Sequence, residues 1–425
     1  METSDVHDSN CAEFHALSRR GFLTGLLAVT GAGVLTIAQG EVVRQVAFAE
    51  TGKARAVLVV LSLRGGADGL SLVVPHGDPG YALARPGIAV PANTLLAHDA
   101  MFGLHPSLKP LLPLWSAGRM AAVHAAGLPA PNRSHFSAME EVEDADPTST
   151  VRRGWLNRMI GLDSFRSPLE GVEMGDTVVP ASLYGSQPSF GAASVDGVKL
   201  SGPSDRSGRR ARLASLRTVW GTGGETLGAG TRSALSVVSS FGPVQAVPHR
   251  PQHSAHYPAT DLGAAMADTA RLIRADVGTE VVTVDHGSWD MHANVGTLDK
   301  GQMRDMAGEM AAAVAAFFTD LGALGGKVTL VTISEFGRRV AENTNLGLDH
   351  GYGNVMFLVG AGVRGGRYYA DWPSLSPGAL VDGDLAVTTD YRSVLAEVLR
   401  SQFKLNVGLV FPGFRPSPVG AMTGA

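Results

Sequence analysis

Acidic and imidazole side chains gather in five short segments of this 425-residue chain, and their types suit metal-assisted chemistry. The segments are R-G-G-A-D-G-L-S with Asp68, P-N-R-S-H-F with Arg133, Ser134 and His135, and D-H-G-S-W-D-M-H with Asp285, His286, Asp290 and His292; S-E-F-G-R with Glu335 and Arg338, and L-D-H-G-Y-G-N with Asp349 and His350, complete the set. Carboxylate oxygens and neutral imidazoles suit Zn, Mn, Mg or Ca. Two such ions a few ångströms apart can clamp the attacking and leaving oxygens of phosphoryl or sulfuryl transfer. The Asp-x-His spacing of Asp290 and His292 lets one loop turn both side chains toward a single ion. The only cysteine, Cys11, lies close to the N-terminus, so thiolate chemistry is set aside.

Each candidate has a plainer alternative. Asp68 can cap a turn instead of binding an ion, Glu335 can pair with Arg338 or Arg339, and Ser134 can cap a helix that starts at S-H-F-S-A-M-E-E. As a nucleophile, Ser134 would need activation by an ion, with Arg133 and His135 holding anionic substrate oxygens. The alternative attacking group is a metal-bound water. His249, His253 and His256 read as a solvated loop.

The elements that must position these residues follow from hydrophobic patterning. Ala56–Leu63, Met120–His124, Val281–Val284, Lys327–Ile333 and Val355–Val359 are continuous apolar runs of strand length, which read as strands buried on both faces. Helical patterns lie between them at 108–117, 154–162, 209–220, 261–275, 303–324 and 391–403. Alternating strands and helices predict an α/β fold, a three-layer sandwich around a mainly parallel central sheet. Ligands in such folds bind beyond the carboxyl ends of the strands, where most of the polar segments fall. Residues 164–208 and 221–258 read as loop-rich insertions, the first with short hairpins.

The N-terminal segment reads S-R-R-G-F-L from Ser18, then a charge-free stretch from Gly21 to Gly40, then A-F-A at 47–49. This is the layout of a twin-arginine signal peptide cleaved after Ala49, which predicts export by the twin-arginine translocation machinery to the periplasm or beyond. Cleavage leaves residues 50–425 with no stable membrane span. The 35 Lys and Arg against 39 Asp and Glu give a net charge of −4, with no basic stripe long enough to follow a phosphate backbone, so nucleic acid is not an expected partner. No G-x-S-x-G elbow occurs, which argues against a serine esterase.

The five ordered motifs resemble those of an exported bacterial family, domain of unknown function fifteen hundred and one. That family is similar to the alkaline phosphatase and sulfatase superfamily. The resemblance implies an alkaline-phosphatase-like α/β domain and a divalent metal site, with Asp68, Asp290, His292, Glu335 and His350 as ligands and Ser134, Arg133 and His135 as catalytic residues. The superfamily's Asp-x-x-x-His pair is here Asp-x-His, Glu335-Phe336 stands for its Asp-His, and the C-x-P-x-R signature is absent. The implied function is metal-dependent hydrolysis of a small phosphate or sulfate ester. The alternative is a catalytically weak or inactive, export-linked binding or assembly protein acting on an unknown exported partner.

Overall fold

The computed structural model describes residues 53–146, 153–162, 167–199, 205–220 and 235–425. The leader expected at 1–49 lies outside the described residues. A nine-stranded sheet forms the centre, built from β1 (Val57–Leu63), β2 (Met120–Gly127), β3 (Gly171–Met174), β4 (Ser189–Ala192), β5 (Val281–His286), β6 (Val328–Ile333), β7 (Asn354–Gly360), β8 (Arg367–Tyr369) and β9 (Thr389–Asp390). The order is β8-β2-β7-β6-β1-β5-β3-β4, with β9 also pairing with β2. Only β7 runs against its neighbours, pairing antiparallel with β2 and β6, while every other pairing is parallel.

The run V-L-V-V-L-S-L of β1 shows why the sheet is covered on both sides. Alternate side chains of a strand point to opposite faces. Val57, Val59, Leu61 and Leu63 enter one core cluster, Leu58 and Val60 enter another, and all six are buried. The principal helices are α1 (His135–Asp144), α2 (Arg206–Trp220), α3 (Asp261–Ala275), α4 (Gln302–Leu321) and α5 (Tyr391–Val398). Leu262 and Met266 of α3 and Met310 and Val314 of α4 fill the first cluster; Ala138 and Val142 of α1 and Val394 and Val398 of α5 fill the second. Helix α3 is set by its ends: Thr260 accepts from the Gly263 amide at 3.2 Å, and Asp276 terminates it in the left-handed conformation. Residues Gln302–Lys327 are long and apolar enough to cross a membrane, but Met303, Ala307, Phe317 and Leu321 are buried here against the sheet.

The stretch 164–208 differs from the expected hairpins. Its strands β3 and β4 pair parallel with each other, and β3 pairs parallel with β5, extending the main sheet at one edge. His249, His253 and His256 are exposed on a loop.

The single reversed strand decides where the polar segments meet. Strands β1, β2, β5 and β6 run in one direction, so the loops that follow them leave from one edge. Because β7 runs the other way, the loop that precedes it, carrying Asp349 and His350, arrives at that same edge.

Candidate metal centre

Four of the five segments converge through the loop that follows β1. Gly65 and Gly66 adopt φ of +107° and +72°, and a Cβ on Gly65 would lie 2.6 Å from the Asp290 amide nitrogen, so this approach requires glycine. Arg338, wholly buried, binds the assembly together. Its Nε donates to the Gly66 carbonyl at 2.6 Å, Nη1 to the Leu348 carbonyl at 2.9 Å, and Nη2 to Asp290 Oδ1 at 2.6 Å and to the Gly65 carbonyl. A planar fork of five donors suits such a junction better than a lysine would.

Around Asp290 stand three imidazoles whose tautomers are set from behind. His350 Nδ1 lies 2.9 Å from the Arg133 carbonyl, His135 Nδ1 lies 2.8 Å from Glu335 Oε1, and His292 Nδ1 lies 3.3 Å from Asp349 Oδ1. A carbonyl or an ionised carboxylate only accepts, so each neutral ring carries its proton on Nδ1 and leaves a lone pair on Nε2. Those lone pairs face one another. His350 Nε2 is 2.9 Å from His135 Nε2 and 3.0 Å from His292 Nε2, while Asp290 Oδ1 is 2.9, 3.4 and 3.5 Å from the Nε2 atoms of His292, His350 and His135. Lone pairs at such separations repel unless a cation or a proton lies between them.

His135, Asp290 and His350 offer one ligand atom each within 4.8 Å of one another. The three edges of that triangle, 2.9, 3.4 and 3.5 Å, compare with about 3.3 Å for one face of a tetrahedral site with bonds of about 2.0–2.1 Å. An ion held by these three would have His292 Nε2, 2.9 Å from Asp290 Oδ1 and 3.0 Å from His350 Nε2, close enough to serve as a fourth ligand. His292 adjoins the triangle through Asp290 and His350.

Electrostatics agree with this geometry. Burial alone would raise the Asp290 carboxyl, but the surrounding imidazoles of His135, His292 and His350 and the Arg338 charge hold it well below the usual carboxylate range. Burial likewise opposes charge on His135, yet its bonds to Asp290 and Glu335 outweigh that and push its pKa up to about 9. Glu335, itself buried, is held below its ordinary value by His135 and by the Gly65 amide, which donates to Oε1 at 2.8 Å.

The residues singled out from the sequence separate into three groups. Asp290, His292 and His350 come together as ligand candidates. Glu335 sits behind the cluster on His135 Nδ1, and His135, with Asp290 and His350, is among the residues that could hold an ion. Asp68 lies outside the centre. Its Oδ2 accepts from the Ser71 amide at 3.0 Å, and its two oxygens bind the Arg85 guanidinium, whose Nη2 reaches Oδ1 at 2.9 Å. Both residues are buried, and the carboxylate is engaged as a turn cap and ion-pair partner. Arg133 turns its side chain to Asp384, with Nε at 2.9 Å from Oδ2, and serves His350 through its backbone carbonyl. Ser134 is exposed at the N-cap position of α1, and its side chain makes no capping bond. Residue type alone does not reveal the stitching by Arg338 or the acceptor role of Asp349, although both residues lie inside the polar segments; Asp384 lies in none of them.

Among solved structures, similarity is found to the C-terminal periplasmic domain of EcEptC from Escherichia coli in complex with Zn, at 10% identity and TM-score 0.36, covering 93% of this chain and 96% of that one. The phosphonate monoester hydrolase of Agrobacterium radiobacter is 11% identical with TM-score 0.32, covering 86% and 79%. The alkaline phosphatase of Thermus thermophilus is 13% identical with TM-score 0.26, covering 68% and 61%. No curated protein matches the chain. The family described as protein of unknown function, DUF1501, matches residues 55–406, and the chain belongs to it.

Proposed function

We propose that the protein is an exported, metal-dependent hydrolase of phosphate or sulfate esters, its ion held by His135, Asp290 and His350 with His292 alongside. The observation that carries this reading is the set of three Nδ1-anchored imidazoles whose Nε2 lone pairs converge on Asp290 Oδ1. A divalent ion bound there supplies Lewis-acid charge at the oxygens of an ester. The protein's own residues prepare that position. Arg338 fixes Asp290, and Glu335, the Arg133 carbonyl and Asp349 fix the three rings, so the ligands are oriented before any ion arrives. Ser134, exposed and adjacent in sequence to His135, keeps its hydroxyl free of capping and is the chain's candidate attacking group.

Export rests on the S-R-R-G-F-L leader, with the twin-arginine machinery as the partner and the periplasm or exterior as the destination. Protein purified after native export should carry a divalent ion near stoichiometry and hydrolyse aryl phosphates or aryl sulfates. Stoichiometric metal without turnover of either ester class would favour the binding or assembly protein. Absence of bound metal would remove the basis for both metal readings.

A further inference from the structure

The three imidazoles of the centre are not held alike. His135 rests on Glu335, a carboxylate only 3% exposed that also accepts from the Gly65 amide, and His350 rests on the Arg133 backbone carbonyl. His292 faces Asp349, whose side chain is 53% exposed, at the longer distance of 3.3 Å. An exposed carboxylate with no further bonds exchanges among rotamers, and a ring anchored on it alone is poorly oriented. His292 therefore needs a further support.

Asn343 supplies it. Its Nδ2 donates to Asp349 Oδ1 at 3.1 Å and to the His292 carbonyl at 2.9 Å, so one amide fixes both the carboxylate in front of the ring and the backbone that carries the ring. Its Oδ1 accepts from the Asn345 and Gly347 amides, each at 2.9 Å. Backbone amides only donate, whereas a carbonyl and an ionised carboxylate only accept, so the nitrogen and oxygen of this side chain cannot exchange places. Backbone bonds join the same two loops, from the Leu348 amide to the Met291 carbonyl at 2.9 Å and from the Val295 amide to the Leu346 carbonyl at 3.0 Å. Gly347 lets them close, because a Cβ there would overlap the His292 carbonyl.

We infer that Asn343 is a positioning residue whose amide nitrogen presents the His292 ring to the centre as the ion's fourth ligand, beside His135, Asp290 and His350. The inference rests on the metal reading proposed above. The two ends of the side chain have separate tasks, the oxygen shaping its own loop and the nitrogen reaching across to His292, and substitution can separate them. Asn343→Asp keeps the accepting oxygens, has no donor, and sets a second carboxylate against Asp349. In the full exported chain its zinc affinity, measured by competition with a chelator, should fall on the order of 10-fold. In the metal-free protein at alkaline pH, the ring-nitrogen chemical shifts of His292 should move away from those of a ring protonated at Nδ1, a change that a role confined to loop shape would not produce. Asn343→Ser adds no charge and keeps a shorter turn-forming oxygen, so it should weaken zinc binding in the same direction even where repulsion from Asp349 unfolds the first variant. Parent-like zinc affinity in a folded variant, or His292 ring shifts unchanged by Asn343→Asp, would overturn the assignment to Asn343 alone. A parent chain that binds no zinc would instead overturn the metal reading, and the fourth-ligand role with it.

Discussion

Asp68 and Asp290 invite comparison because each follows a parallel strand, each lies in a glycine-containing loop, and each touches a buried arginine. Arg85 takes both oxygens of Asp68, and the Ser71 amide adds a third donor. Protein donors thus take three of that carboxylate's acceptor sites, two on Oδ2 and one on Oδ1. Arg338 also binds Asp290 at Oδ1, but its other donors go to the Gly65, Gly66 and Leu348 carbonyls, and the rest of the Asp290 environment is imidazole. The difference lies in what a guanidinium saturates. When it grips a carboxylate from both sides the result is structural; when it supports one from behind, the group still serves as a ligand.

The largest effect is expected from removing either carboxylate. Asp290→Ala strips the centre of its anionic ligand and leaves buried Arg338 without its counter-charge, so bound metal should be lost together with about 3–5 kcal/mol of stability. Asp68→Ala strands Arg85 in the same way and should lower stability by about 3–5 kcal/mol, but with metal retained. Denaturant unfolding beside elemental analysis of both variants makes the contrast. Equal metal loss in the two would erase it.

Glu335→Gln probes the shell behind the ligands. The amide cannot serve as the ionised acceptor that holds His135 in its Nδ1–H form, so metal affinity should fall about 10- to 100-fold while the fold persists. Competition with a chelator of known affinity measures this, and affinity equal to the parent would place His135 outside the ion's ligands.

Proton competition gives a third contrast. His135 is raised from 6.5 to about 9, so in the metal-free protein its protonated form contributes stability that is fully present below pH 6.5 and is lost as pH rises through about 9. An ion and that proton compete for the same Nε2. Metal affinity should therefore weaken as pH falls below about 9, and the alkaline loss of stability should vanish once metal is bound. The Asp68–Arg85 pair runs the other way. Asp68 is depressed in the folded state, despite burial, by Arg85 and Ser71, so its contribution is present above its unfolded value and lost only as pH falls through the acid range. Melting curves over pH, with and without added Zn, separate the two.

The smallest structural effect belongs to Ser134→Ala. Since the hydroxyl makes no cap bond, stability should change by less than about 0.5 kcal/mol, while turnover of an ester substrate should disappear and metal remain. Retained turnover would shift the attack to another group.

The sequence made the five long strands of the sheet and most of its helices legible, because a strand buried on both faces must be apolar throughout. Strands β3 and β4 were not legible. They are four residues each, G-V-E-M and S-F-G-A, and become strands because β5 offers an edge to β3, and β3 in turn one to β4. At the site, the Asp-x-His and Asp-His-Gly motifs pointed to loops whose side chains meet around Asp290. Two placements escaped. Nothing in R-G-G-A-D-G says that Arg85, seventeen residues on, will bind Asp68. Nor does P-N-R-S-H-F say that His135, at the first turn of α1, faces the centre while Arg133 turns to Asp384, which is distant in sequence.

Metal content of the natively exported protein, measured by elemental analysis for the parent chain, for His350→Ala and for Asp68→Asn, tests the central claim most directly. Near-stoichiometric divalent metal in the parent and in Asp68→Asn, with loss in His350→Ala, is the predicted result. Metal held equally by His350→Ala, or absent from the parent, would contradict a centre built on His135, Asp290 and His350.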